Sequence, residues 1–300
     1  MDHVGNDLGP ILLTGAAGYL GQHVLARLTA RRVSCVPTSL GGAVGIPCDL
    51  TDAVAARVLL DRTRPSAIIH CAAMLPTSAP AYDDNKTAES SVAMVKGILA
   101  NARCRVVLAS SMTVYGEATD FPVDEEGVNP PVSGYAGGKW MAEQVLFARH
   151  FPDDVALRLP GLFGPPRRTG LLYNAARSFL TRGRFELTAP AELWAAMAVD
   201  DAAEYLVRAA ITPSGRPAQA VNVGYEGEFS VLSAVAQIAA QCNVEWHPPS
   251  MKVKTFSMRL QRLESRYGML AVGFHQRLKE FVDAVGHDLR SGPGVGAGAI

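Results

Sequence analysis

Two side chains four residues apart carry the first chemical signal in this chain. The stretch SGYAGGKW puts Tyr135 and Lys139 one turn apart, on one face of a helix. A phenol ionises near pH 10 and is a poor base at neutral pH. A neighbouring ammonium favours the phenolate, so the pair reads as a proton donor and acceptor tuned toward working pH. Ala136, Gly137 and Gly138 stand between them. Each mid-helix glycine costs about 1 kcal/mol relative to alanine. The expected reason is room for a bulky cofactor against bare backbone. Upstream, ASSMTVYG carries Ser111, 24 residues before Tyr135. Its hydroxyl can hydrogen-bond the substrate oxygen that Tyr135 protonates. Ser110 is the alternative, on the opposite face of the same strand. Tyr82 and Lys86 repeat the spacing in APAYDDNK without a serine-bearing strand before them, and read as a decoy.

Those groups need a scaffold, and the pattern through residue 160 supplies one. Apolar strands ILLT, VSCVP, GIPC, AIIHCAA, RVVLASS and DVALRLP alternate with helices over Tyr19–Arg31, Thr51–Arg64, a stretch ending near Asn101, and Tyr135–His150. Such alternation predicts an α/β fold, a doubly wound parallel sheet of the Rossmann type covered on both faces. ASSMTVYG then ends the fifth strand at the carboxyl edge, where ligands collect. After Pro160 the regularity fades. Helices over Leu171–Arg182, Asp200–Ala210 and Val231–Gln241, with a short AVNVG strand, read as a smaller, discontinuous substrate region. The expected division is 1–165 for dinucleotide binding, 166–290 for substrate, with segments able to return to the sheet, and 291–300 as a flexible Gly-rich tail.

The first strand-to-helix junction is TGAAGYLG. Gly15 suits the tight turn, Gly18 a close approach to phosphate, and Gly21 close helix–strand packing. Tyr19 and Leu20 open the helix whose N-terminus would hold a pyrophosphate. The second strand offers Thr38 and Ser39 where an acid would grip the adenosine ribose, so NAD and NADP both stay open, with a lean to NADP. Asp49, followed by Leu50, is placed either to meet the adenine amino group or to cap the next helix.

Charges balance at 28 against 28, which argues against nucleic-acid or anionic-membrane partners. No apolar run approaches the roughly 18–20 residues of a membrane span, and the start lacks a secretion signal. Five cysteines, none in a CxxC pair, predict reduced thiols in a cytoplasm and no metal site.

Together these motifs resemble the extended short-chain dehydrogenase/reductase family of nucleotide-sugar epimerases, dehydratases and reductases. TGAAGYLG is similar to its TGxxGxxG loop, IIHCAA to IHxAA, ASSMTVYG to SSxxVYG, YAGGK to YxxxK, and LRLPGLFGP to its R-x-x-x-x-G-P. The resemblance implies that Ser111 and Tyr135 handle the proton, and that Lys139 binds nicotinamide ribose and lowers the tyrosine pKa. It implies that Ala72 and Ala73 line the cofactor trough and that Pro160 touches the nicotinamide end. Met74, Met112, Thr113 and Trp194 fall at substrate positions. Met112 and Thr113 replace the Asp and Glu of dehydratases, which leaves hydride transfer at a carbonyl or carbinol carbon. Trp194 stands where sugar-nucleotide enzymes often carry a phosphate-gripping arginine; Lys252, Lys254, Arg259, Arg262 and Arg266 supply charge later, or form a solvated basic helix. The expected activity is an NAD(P)-dependent ketoreductase or 4-epimerase of a nucleotide sugar. The alternatives are reduction of a non-sugar ketone or aldehyde, and a silent NAD(P) sensor. The resemblance also implies a homodimer, through helices bearing Val92, Val95, Leu99, Trp140, Val145 and Phe147, which equally fit internal packing.

Overall fold

The computed structural model describes residues 9–75, 82–116, 121–128, 134–187, 194–227, 230–249 and 256–291. Among them the strands are β1 (Ile11–Thr14), β2 (Cys35–Ser39), β3 (Ile46–Pro47), β4 (Ala67–His70), β5 (Arg105–Ser111), β6 (Val155–Leu159), β7 (Gly161–Phe163), β8 (Ala196–Ala198) and β9 (Gln219–Asn222). The helices are α1 (Tyr19–Ala30), α2 (Ala53–Thr63), α3 (Asn85–Leu99), α4 (Gly134–Phe147), α5 (Leu171–Arg182), α6 (Val199–Ile211), α7 (Val231–Gln241), α8 (Gln261–Tyr267) and α9 (Phe274–Ser291).

The chain divides into two units. One takes residues up to Leu159 together with Asp200–Val223 and Met258–Met269; the other takes Pro160–Val199, Gly224–Ser257 and the chain from Leu270 on. In the first unit, seven described strands form a parallel sheet in the order β3-β2-β1-β4-β5-β6-β9. The reversal of direction falls between β1 and β4, the place where doubly wound sheets open a crevice. Every residue of β1, β4 and β6 is buried. A strand covered on both faces is mostly apolar, which is why these segments read as near-continuous apolar runs, with Thr14, His70 and Arg158 as their buried polar members. Leu12, Ile68, Val106, Leu108 and Ala156 of the sheet pack with Leu59, Val95, Ile98 and Leu146 of the helices. Each such side chain contributes about 1.5–3 kcal/mol when fully buried. The Asp52 carboxylate caps α2 by accepting from the Val54 and Ala55 N–H groups, and Asp84 caps α3 through Lys86.

β2 runs two residues later than the VSCVP reading because its register pairs Ile11 with Cys35 and Thr14 with Thr38. AVNVG supplies β9, which joins β6 in the large sheet. Val92 and Val95 lie in the first unit's own core, with Leu99, Val145 and Phe147 packed against it. Val92 and Val95 thus serve internal packing, while Leu99, Trp140, Val145 and Phe147 are only partly buried; Met141 of α4 is an apolar side chain left exposed.

In the second unit β7 and β8 pair in parallel. Phe163 stacks edge-on against Phe274 and Phe281, and Trp194 and Tyr225 also pack on Phe274. Both phenylalanines come from α9, a helix missing from the sequence reading, although Phe274, Leu278, Phe281, Val282 and Val285 mark one buried face. Among the described residues no helix is long and apolar enough to cross a membrane. The tail beyond Ser291 and most of the Met74–Asp84 loop lie outside the described residues.

Candidate active site

The glycine loop is held tight by its surroundings. Gly15 has φ of 70°, and a Cβ there would lie 2.6 Å from the Ala72 nitrogen. A Cβ on Gly21 would collide with the Gly15 carbonyl. Helix α1 opens at Gly18 with no side-chain cap and no acid in its first turn. The first-turn N–H groups and the positive dipole end suit an anion there. Gly15, Gly18, Tyr19, Leu20 and Gly21 therefore fit the pyrophosphate of a dinucleotide.

At the end of β2, Thr38 Oγ1 donates to the Ile46 carbonyl at 2.6 Å, and Ser39 Oγ donates to the Val44 carbonyl at 2.9 Å. Both residues are buried and hold the β2–β3 connection, so neither hydroxyl is offered to a ribose. Asp49 is exposed. Its Oδ1 accepts from the Thr51 hydroxyl and N–H, which hold the carboxyl below its ordinary range. Asp52, not Asp49, caps α2. The Leu50 side chain is in the core, leaving only its backbone for a ligand.

Ser111 ends β5 and caps a 3₁₀ turn, Met112–Tyr115. Its oxygen accepts from the Thr113 N–H at 3.2 Å and the Thr113 hydroxyl at 3.0 Å. Its own proton is left to donate, and Ser111 lies near enough to Tyr135 to lower the pKa of its phenol. Ser110 points the other way, to Glu143. Between the two serines, Ser111 is thus the one that meets the phenol. Lys139 is buried, donates to the Ala109 carbonyl at 2.7 Å, and sits 5.7 Å from the Tyr135 ring centre.

The electrostatics differ from the expected phenol held acidic by an ammonium. Burial pushes the Tyr135 phenol up to about 12, with the nearby Ser111 hydroxyl pulling against it. Burial draws Lys139 down to about 8, while Cys71 and Glu143 favour its charged form. Desolvation dominates both groups, and the ammonium spends its charge on a carbonyl. The phenol is consequently neutral at pH 7.

One glycine of α4 serves another purpose than the one expected. A Cβ on Gly138 would lie 2.6 Å from the Ala88 Cα of α3. At Gly138 the missing side chain admits a neighbouring helix rather than a cofactor. The decoy has a place here too. Gly134, with φ of 63°, lies against the Tyr82 carbonyl and donates its N–H to Asn85 Oδ1 at 2.9 Å. The Tyr82 ring stands edge-on to Tyr135, 5.7 Å between centres.

One cluster escaped the sequence reading. Glu143, a further turn along α4, is fully buried and paired with Arg158 of β6 at 2.7 Å. Arg158 also donates to Tyr115 Oη at 3.0 Å and to the Glu125 carbonyl at 2.8 Å. Tyr115 in turn donates to Asn222 Oδ1, and the Asn222 N–H to Glu125 Oε1 at 2.9 Å. The available signals were a glutamate four residues beyond Lys139 and a lone arginine inside an apolar strand.

Of the other expected contacts, Ala72 and Ala73 follow β4 and are half-buried, while Met74 is exposed with its N–H donating to Ser91 Oγ at 3.3 Å. Met112 is buried, Thr113 is engaged with Ser111, and Pro160 is buried directly after β6. Trp194 is half-buried in the second unit, edge-on to Phe274 at 6.0 Å. Arg262 pairs with Glu125 and Glu126, and Arg266 with Asp153, so these two are balanced charges. Lys252 and Lys254 lie outside the described residues.

A protein-family model described as the NAD dependent epimerase/dehydratase family matches residues 11–224. The chain belongs to this family. The family is described by its dependence on NAD, which does not support the lean to NADP, and the glycine loop fits NAD. Among curated relatives, a UDP-glucose 4-epimerase of Azospirillum brasilense is 32% identical over 180 residues, covering 53% of this chain and 51% of that protein. A dTDP-4-keto-6-deoxy-D-glucose reductase of Streptomyces niveus is 27% identical over 161 residues, 51% of this chain and 52% of that protein. The matches thus span about half the length of these relatives. The Bordetella bronchiseptica enzyme WbmG, solved in complex with NAD, superposes with a TM-score of 0.76 at 19% identity, covering 95% of this chain and 97% of that one. That likeness shows a shared fold.

Proposed function

We propose that this chain is an NAD-dependent sugar-modifying oxidoreductase that transfers hydride at a carbonyl or carbinol carbon of a nucleotide-activated sugar, as a 4-epimerase or ketoreductase. The observation that carries the reading is the meeting of Ser111, Tyr135 and Lys139 at the carboxyl end of β5. When bound, NAD accepts or returns the hydride. The neutral Tyr135 phenol donates a proton to the sugar oxygen as negative charge develops there. Ser111, its oxygen already occupied by Thr113, directs its proton toward the same oxygen. Lys139 keeps a positive charge beside the ring, which favours the phenolate left after donation. Gly15, Gly18, Tyr19, Leu20 and Gly21 hold the pyrophosphate, Asp49 faces the adenosine end, and Ala72, Ala73 and Pro160 border the cofactor.

Elimination of water needs a carboxylate beside Ser111, and Met112 and Thr113 supply none. This favours the epimerase and reductase branches over dehydration. The two curated relatives, a 4-epimerase and a keto-sugar reductase, support the same pair of chemistries and a nucleotide-sugar substrate. The test is to supply the purified protein with NAD and UDP-glucose, and separately with NADH and UDP- or dTDP-4-keto sugars. A 4-epimer formed without net cofactor loss identifies an epimerase; stoichiometric NADH oxidation identifies a reductase. Neither change across the panel contradicts the proposal.

A further inference from the structure

The last three residues of β5 meet three successive turns of α4. Ser111 meets Tyr135, the Ala109 carbonyl takes the Lys139 ammonium, and Ser110 Oγ donates to Glu143 Oε1 at 2.5 Å. Tyr135, Lys139 and Glu143 are spaced by four and share one helix face. The proposed chemistry uses the first two and leaves the third without a task.

Glu143 has 0% of its surface exposed, and a carboxylate so placed is tolerated only when paired and hydrogen-bonded. Arg158 donates Nε to Oε1 at 3.1 Å and Nη2 to Oε2 at 2.7 Å, a two-pronged grip. Arg158 and Ser110 are register partners on β6 and β5. The adjacent rung pairs Ser111 with Leu159. The carboxylate therefore clasps two neighbouring strands one rung from the serine that meets Tyr135. Apolar side chains at this contact would tolerate a small slide or rotation of α4. A forked ion pair with a third hydrogen bond has one geometry.

We propose that Glu143 is a positioning residue, locking α4 to β5 and β6 at the register in which Ser111, Tyr135 and Lys139 converge. The inference rests on the Ser111-Tyr135-Lys139 reading above. Reactive groups displaced by about 1 Å can lose about 100-fold in rate, which is the scale such a lock protects. Glu143 also faces Lys139, together with Cys71 and His70 at the end of β4 and Tyr135 on the same helix. Of these, Cys71 and Glu143 favour the charged lysine. Removing the carboxylate makes Lys139 lose its proton at lower pH.

The test is Glu143→Gln in the full chain. Turnover is expected to fall by roughly 10- to 100-fold, with KM and NAD affinity within about threefold. Its alkaline decline, set by Lys139 near 8, should move to lower pH. If loss of the anion opposite Arg158 prevents folding, Ser110→Ala decides, since it removes one anchor and keeps the ion pair. There a roughly 3- to 10-fold fall in turnover at constant KM is expected. Wild-type turnover and pH profile in folded Glu143→Gln, or wild-type turnover in Ser110→Ala, overturns the proposal. Tyr135→Phe is measured alongside. Full turnover there sinks the three-residue reading itself, whereas loss there alone sinks only the role of Glu143.

Discussion

Desolvation sets the charge states around the phenol. Tyr135 is pushed up to about 12 and Lys139 down to about 8 by the same burial. His70, at the end of β4, is buried too, and is drawn down to about 3 by burial and by the charge on Lys139. Its Nδ1 pairs with Thr14 Oγ1 at 2.8 Å. An unfolded histidine takes its proton near 6.5, so between that value and about 3 the unfolded chain binds more protons than the folded one. His70 thus weakens the fold progressively as pH drops below 6.5. At pH 5 the loss is roughly 2 kcal/mol relative to neutral pH. Urea unfolding of wild type and His70→Gln at pH 7 and pH 5 checks this. The variant is expected to lose roughly 2 kcal/mol less on acidification; an equal loss in both proteins counts against it.

Helices α3 and α4 approach so closely that backbone, not side chain, forms part of the contact. Gly138 against Ala88 is the tightest expression of this. Alanine is a better helix former than glycine by about 1 kcal/mol. At this position the added methyl meets Ala88 Cα, and overpacking of this sort costs about 1–3 kcal/mol. Gly138→Ala is expected to lower the urea midpoint, and an unchanged or raised midpoint would show that the helices can part without cost. Elements buried on two faces were legible in sequence: ILLT, AIIH and VALRL are apolar at all but one position each. What depended on partners was not. Gly138 looks like a gap until α3 is laid beside it, and β2 shifts because β1 chooses its register. Helix α9 was readable from its apolar spacing, but its face belongs to the second unit's aromatic core.

Over the whole molecule, the parallel sheet gathers the glycine loop after β1, the Ala72–Ala73 segment after β4 and Ser111 at the end of β5 along one edge. Local spacing was enough to place Tyr135 and Lys139 on one helix turn and Ser111 at a strand end. It was not enough to find Glu143 and Arg158, whose pairing joins residues on different elements in a buried site. Nor did it foresee Tyr82 beside Tyr135, a contact that depends on the turn before α3. The account stands on proton donation by one phenol during hydride transfer with NAD. The direct measurement is the rate at which reduced nicotinamide absorbance changes when nucleotide sugar is mixed with wild type and with Tyr135→Phe, with NAD affinity measured separately. Tyr135→Phe is expected to slow that change by at least ~100-fold while binding NAD as wild type does. An undiminished rate in the phenylalanine variant would contradict the account.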